Sequence, residues 1–127
     1  MNPPVSVKGV LLVEGRVVLL KNPRDEWELP GGRVDPGETH EQTLSREFAE
    51  ELAVEVSVGR RIDSYLFEVI PGRRVRIVTY GCALEGPFSP RVSHEHTEHR
   101  LWPVERLSEI PLPEGYRRSV ERWAEVA

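Results

Sequence analysis

At 127 residues, with 39% hydrophobic and 30% charged content, the chain has the size and composition of one compact domain, residues 1–127, too short for a second. A formal net charge of −4 argues against a global basic field for a stable nucleic-acid partner. The one cysteine, Cys82, excludes an intrachain disulfide, and its place in the apolar run Ile77–Leu84 reads as a buried, inert thiol. The N-terminus MNPPVSVKG lacks a charged segment followed by an apolar run. Nothing approaches ~18 uninterrupted apolar residues, so the expectation is a cytoplasmic protein with no membrane partner.

Val5–Val13 and Arg16–Lys21 are apolar, β-branched runs separated by Glu14-Gly15, a spacing that predicts a hairpin with a two-residue turn. Asn22–Glu26 reads as a polar loop, followed by a short extended segment, Trp27-Glu28-Leu29, that ends at Pro30. Gly31-Gly32 and Asp35-Pro36-Gly37 then make a loop of turn-forming residues. A helix should follow. Thr39 is a suitable N-cap and Gln42 completes a Thr-x-x-Gln capping box. Good helix formers run on to Leu52, with Leu44, Phe48 and Leu52 marking the buried stripe.

Beside that stripe stand Glu47, Glu50 and Glu51. At ~100° of rotation per residue they share a sector of roughly 100°. As neighbours at i, i+3 and i, i+4 they repel by about 0.2–0.5 kcal/mol per pair, and Arg46, four residues before Glu50, relieves part of it. A solvated acidic face is one reading of the cluster. The other is a cation site, since oxygen donors on a rigid helix suit Mg2+ or Mn2+.

Beyond the helix, Val54–Val58 and Ile62–Ile70 are strand-like, and Pro71-Gly72 should turn the chain into a further strand, Arg74–Leu84. Gly86–His99 reads as a loop, Arg100–Val104 as a short strand and Glu105–Glu109 as a helical turn. Glu114–Val126 closes the series as a helix, with Tyr116, Val120 and Trp123 at core-facing spacing. Strands on both sides of one internal helix, with a second helix at the end, predict an α/β fold with a mixed sheet packed between helices.

The stretch from Gly32 to Val54 resembles the signature of the Nudix (MutT-like) hydrolases, Gly-x5-Glu-x7-Arg-Glu-U-x-Glu-Glu-x-Gly-U, where U is bulky and apolar. Gly32, Glu38, Arg46, Glu47, Phe48, Glu50, Glu51 and Val54 occupy the required positions. One position departs: Ala53 replaces the last Gly, where a left-handed residue with a Cβ costs roughly 1–2 kcal/mol. That leaves the helix exit in question but not the ligand set. Trp27–Gly32 and Glu98–Leu107 carry looser similarity.

The resemblance implies the α/β/α Nudix sandwich and metal-dependent hydrolysis of a nucleoside diphosphate linked to a group X, by attack of water on phosphorus. The small-molecule substrate would be an NDP-sugar such as ADP-ribose, or a nucleoside triphosphate. Glu47, Glu50 and Glu51 would be the ligands of Mg2+ or Mn2+, with Glu38 helping directly or through water. Glu47 would either ligate or accept a proton, and Arg46 would orient Glu38 or Glu47. Gly31 and Gly32 would let the backbone approach metal or phosphate. Family members often draw the general base from a loop outside the box. Glu95 and Glu98 are the candidates here. Glu98 is chosen because Arg100–Leu107 resembles the short strand and helical turn that often come after such a Glu in the family. Relatives often pair through their sheets or exchange N-terminal segments, so a homodimer is allowed.

Other residues carry less. His94, His96 and His99 read as solvated loop histidines rather than a transition-metal site, because no companion Cys or helical His-Glu-x-x-His accompanies them. Lys21, Arg24 and Arg33 flank the glycine loop within reach of phosphates, yet long cationic side chains ordinarily lie at the surface. Trp27, Tyr65, Phe67 and Tyr80 can stack on a base, but core packing accounts for most strand aromatics. Two other functions remain in view: a non-catalytic nucleotide-binding or regulatory Nudix domain, and a nucleic-acid module. The intact carboxylates speak against the first and the negative charge against the second.

Overall fold

The computed structural model describes residues 2–127. Seven strands form one sheet: β1 (Val5–Val13), β2 (Arg16–Lys21), β3 (Trp27–Glu28), β4 (Gly31–Arg33), β5 (Val56–Ile70), β6 (Arg73–Leu84) and β7 (Glu98–Pro103). Helix α1 (His40–Leu52) lies between β4 and β5, a 3₁₀ segment covers Val104–Glu109, and α2 (Glu114–Val126) ends the chain. The main ladder runs β3-β2-β1-β6-β5, with β7 on β2 and β4 on β1. Only β1 and β6 are parallel; the other pairs are antiparallel, so the sheet is mixed.

Alternation along β1 and β2 divides the core between the two faces. Val7, Leu11, Val18 and Leu20 meet Leu44, Phe48 and Leu52 of α1. Val10, Val17 and Leu19 point the other way, toward Trp27, Leu107 and Val120, with Tyr116 and Trp123 packed alongside. The sheet therefore sits between α1 and α2, the expected sandwich. No helix among the described residues is long and apolar enough to cross a membrane.

Local signals and structure agree closely at α1. Thr39, in extended backbone, accepts the Gln42 N–H at 3.1 Å, and the Gln42 side-chain carbonyl accepts the Thr39 N–H at 2.9 Å. The helix exit also settles: Ala53 takes the left-handed conformation (φ 58°, ψ 38°), and its N–H reaches the Ala49 carbonyl at 3.0 Å. Ala53 thus does the work of the missing glycine at a backbone cost.

Three expectations are corrected. Val54–Val58 and Ile62–Ile70 are not separate strands; one strand runs through Gly59–Arg61, with register shifts at Val58/Arg61 and Arg61/Asp63 absorbing the irregular residues. Gly31–Arg33, read as loop, is a strand because Ser6, Val7 and Lys8 of β1 pair with it. The last strand begins at Glu98, inside the expected loop, because Glu98 pairs with Lys21 and His99 with Leu20.

Candidate active site

The glycine pair at β4 is fixed by what surrounds it. Gly31 has φ +146°, and a Cβ there would overlap the carbonyl oxygen of Val7. A Cβ on Gly32 would stand 2.7 Å from Oε1 of Glu47. Bare backbone at these two positions lets β4 pair with β1 while the Glu47 carboxylate of α1 lies against it.

Arg46 gathers most of the remaining acids. Its Nε donates to Glu38 Oε2 at 2.8 Å and its Nη2 to Glu38 Oε1 at 3.0 Å, a bidentate pair. Nη1 donates at 3.0 Å to both Glu47 Oε1 and Glu50 Oε1, and Asp35 lies 3.3 Å from Nη2. Arg46 therefore relieves far more repulsion than its spacing to Glu50 alone suggests. The Arg46 guanidinium, helped by the Thr43 hydroxyl, holds the Glu38 carboxyl down at about 2. Burial raises Glu47 despite the same guanidinium.

Glu51 is placed differently. Its side chain is 5% exposed, which rules out a solvated acidic face at this position. Oε1 accepts the Gly31 N–H at 2.9 Å, and Oε2 lies 3.6 Å from Nε2 of His96. Burial pushes its carboxyl up to about 8, against the pull of Lys8 and the Gly31 amide. Lys8 is itself buried; burial pulls its ammonium down, but Tyr116, Glu28, Glu51 and Glu47 together more than offset that and raise it.

Glu98, expected as the base, is not brought to this cluster. It sits on β7 with Lys21 at 3.6 Å and Arg100 at 3.2 Å. Glu95 is exposed. The reading of His96 as a solvated loop histidine is corrected: its side chain is 5% exposed and Nε2 contacts Glu28 Oε1 at 2.7 Å. The loop puts it there because Arg91 N–H binds the Leu52 carbonyl at 2.8 Å and Ser93 N–H the Glu51 carbonyl at 3.0 Å, satisfying the open end of α1. Glu28 and His96 are the site residues that sequence reasoning missed. Glu28 carried a weak signal, lying in the Trp27–Gly32 run of looser similarity.

Among the described residues no three His, Cys, Asp or Glu side chains converge at coordination distance; the carboxylates meet on Arg46 instead. The donors nonetheless fit a hard divalent cation. They are carboxylate oxygens around bare backbone, and Glu51 is buried with too little positive charge to keep it ionised at neutral pH. Cys82 is remote in character: buried, with its thiol pushed up to about 12.

A family model described as NUDIX domain matches residues 3–123. The CTP pyrophosphohydrolase of Escherichia coli is 35% identical over 124 residues, covering 87% of this chain and 88% of that protein. A putative 8-oxo-dGTP diphosphatase of Bacillus subtilis is 40% identical over 58 residues, 44% of this chain and 39% of its own. A NUDIX-family hydrolase structure from Clostridium perfringens superposes with a TM-score of 0.86 over 99% of both chains at 15% identity, a likeness of fold.

Proposed function

The chain belongs to the NUDIX family, and from that premise we propose that it hydrolyses the phosphoanhydride of a nucleoside triphosphate, using Mg2+ or Mn2+ held on α1. The observation that carries the reading is Glu51, a buried carboxylate fixed by the Gly31 amide at 2.9 Å on the helix face that also bears Glu47 and Glu50. A buried acid left without adequate counter-charge costs stability, so its presence is better explained by a cation that it meets in the working enzyme. The choice of a triphosphate over an NDP-sugar is supported by the relative named CTP pyrophosphohydrolase, which matches over 87% of the chain.

In this reading Glu50 and Glu51 would supply the ligands, with Glu38 beside them and Glu47 left to act as a base. A divalent cation held there would neutralise phosphate oxygens and lower the pKa of water. Arg46 keeps Glu38, Glu47 and Glu50 on one guanidinium, which holds these carboxylates together on the face where a cation would be bound. Glu47 accepts the proton of the attacking water, because burial has already raised its affinity for one. Glu98 is the alternative acceptor, but its partners are Lys21 and Arg100. Gly31 gives its N–H to Glu51 and bare Gly32 makes room for Glu47, so the two glycines seat the carboxylates of the site. A residue span of 1–127 serving as one Nudix domain is part of the same proposal.

Product analysis tests it. The protein and a Glu51→Gln variant are incubated with CTP, other nucleoside triphosphates, oxidised guanine nucleotides and ADP-ribose, with either metal. Metal-dependent release of pyrophosphate or phosphate from a triphosphate, lost in the variant, is expected. Turnover untouched by the variant would remove Glu51 from the chemistry. Turnover of ADP-ribose alone would overturn the substrate choice, and nucleotide binding without turnover on any substrate would make this a binding domain.

A further inference from the structure

His96 comes from a loop 68 residues beyond Glu28, yet its Nε2 stands 2.7 Å from Glu28 Oε1 and 3.6 Å from Glu51 Oε2. Nε2, set on Glu28 Oε1, serves as the donor, which leaves Nδ1 as the other end of the ring. Nδ1 is buried and has no hydrogen-bond partner. An unpaired buried polar atom costs free energy, so the ring is a poor choice if stability alone set this position. What the ring does provide is an N–H edge, anchored on Glu28, that stands against Glu51, a buried acid of α1 that Arg46 does not hold.

The surroundings keep that donor still. Ser93 N–H binds the Glu51 carbonyl, His96 N–H binds the Ser93 carbonyl at 3.1 Å, and Thr97 N–H binds the Lys21 carbonyl at 2.9 Å. Glu28 is held in turn by the Asn22 amide at 3.4 Å. Hydrogen bonds therefore run from Asn22 through Glu28 to His96, whose Nε2 stands 3.6 Å from the Glu51 carboxyl that accepts the Gly31 amide.

We infer that His96 is a positioning residue: with Nε2 hydrogen bonded to Glu28 Oε1 and standing 3.6 Å from Glu51 Oε2, the N–H edge of the ring braces the Glu51 carboxyl between β3 and α1, so that Oε1 stays on Gly31 and Oε2 is presented at one angle. This rests on the proposed role of Glu51 as a metal ligand. The side-chain nitrogen of Gln reaches as far as Nε2 of His, whereas that of Asn reaches only as far as Nδ1. The Gln and Asn variants therefore separate the donor from the bulk of the ring.

Mn2+ binding is measured on the parent protein and on His96→Gln, His96→Asn, His96→Ala and Glu51→Gln, by electron paramagnetic resonance of the free ion. Steady-state kinetics on a triphosphate substrate accompany it. His96→Asn and His96→Ala should weaken Mn2+ binding about 10–100-fold, the usual cost of losing a partner that orients a ligand. They should lower kcat with KM little changed. His96→Gln should recover most of both. Equal behaviour of the Gln and Asn variants, or parent-like Mn2+ binding in His96→Asn, would overturn the inference. If His96→Ala fails to fold, the Gln–Asn contrast decides alone. Loss of Mn2+ binding in Glu51→Gln but in none of the His96 variants would sink the positioning role only. Parent-like Mn2+ binding in Glu51→Gln would sink the metal reading and this inference with it.

Discussion

Replacing Glu51 with Gln should stabilise the metal-free protein while abolishing its activity. The carboxyl titrates at about 8 in the folded chain, against 4.5 for an unburied Glu. Because the folded state binds this proton more tightly, the group favours folding below pH 4.5, and that contribution drains away as the pH rises toward 8. At pH 7.5 about 3–4 kcal/mol of that contribution is gone, roughly 1.4 kcal/mol for each of about three units, because the unfolded chain has released a proton that the folded chain must still hold or give up at the same cost. Glutamine has the same shape, keeps an oxygen for the Gly31 N–H and carries no charge to bury. Urea unfolding in EDTA at pH 5 and pH 7.5 measures the difference. The variant should exceed the parent by less than about 1 kcal/mol at pH 5 and by about 3–4 kcal/mol at pH 7.5. Mn2+ should then raise the parent at pH 7.5 and leave the variant unmoved. A gap between the two proteins that is the same at both pH values would refute the argument, because it would show that the burial of charge is not what the substitution removes.

Ala53→Gly should stabilise by about 0.5–1 kcal/mol, the left-handed penalty of Ala less the entropy that Gly adds to the unfolded chain, and a thermal melt detects it. Ala53 is exposed, so little packing is lost. Gly32→Ala should push Glu47 off the backbone of β4 and reduce kcat on the order of 100-fold, with the far-ultraviolet circular dichroism kept. Arg46→Lys loses the bidentate hold on Glu38 and should lower activity about 10–100-fold, read from kcat at saturating metal. Cys82, pushed up to about 12, should resist a thiol reagent at pH 8 until denaturant is added.

What could be read in the chain was whatever its neighbours in sequence decide. The capping box at Thr39 and Gln42, the Glu14-Gly15 turn and the bounds of α2 all depend on residues a few positions apart, and each stands where it was expected. Leu44, Phe48 and Leu52 are fully buried for the same reason. The passage of β5 through Gly59–Arg61 was not legible, since its continuation rests on β6 supplying a partner across two register shifts. Gly31–Arg33 has no strand propensity of its own and becomes one by lying against β1. His96 was the hardest to see. Nothing local distinguishes it from His94 or His99, and its burial depends on a loop closing over the last carbonyls of α1.

The pairing of β4 with β1 has a consequence for motion. One edge of β1 is shared, first by β4 at Ser6–Lys8 and then by β2 at Leu12–Val13, while β6 occupies the opposite edge from Val5 to Leu11. The glycines beside the acids are thus rungs of the central ladder and not a flap hung from it. Swinging them aside would mean breaking hydrogen bonds with a strand at the centre of the sheet, an opening on the scale of unfolding itself. Any adjustment to an arriving nucleotide falls to side chains and to the stretch between β6 and β7. Substrates of different size would then be accommodated at the rim, with the catalytic floor unchanged.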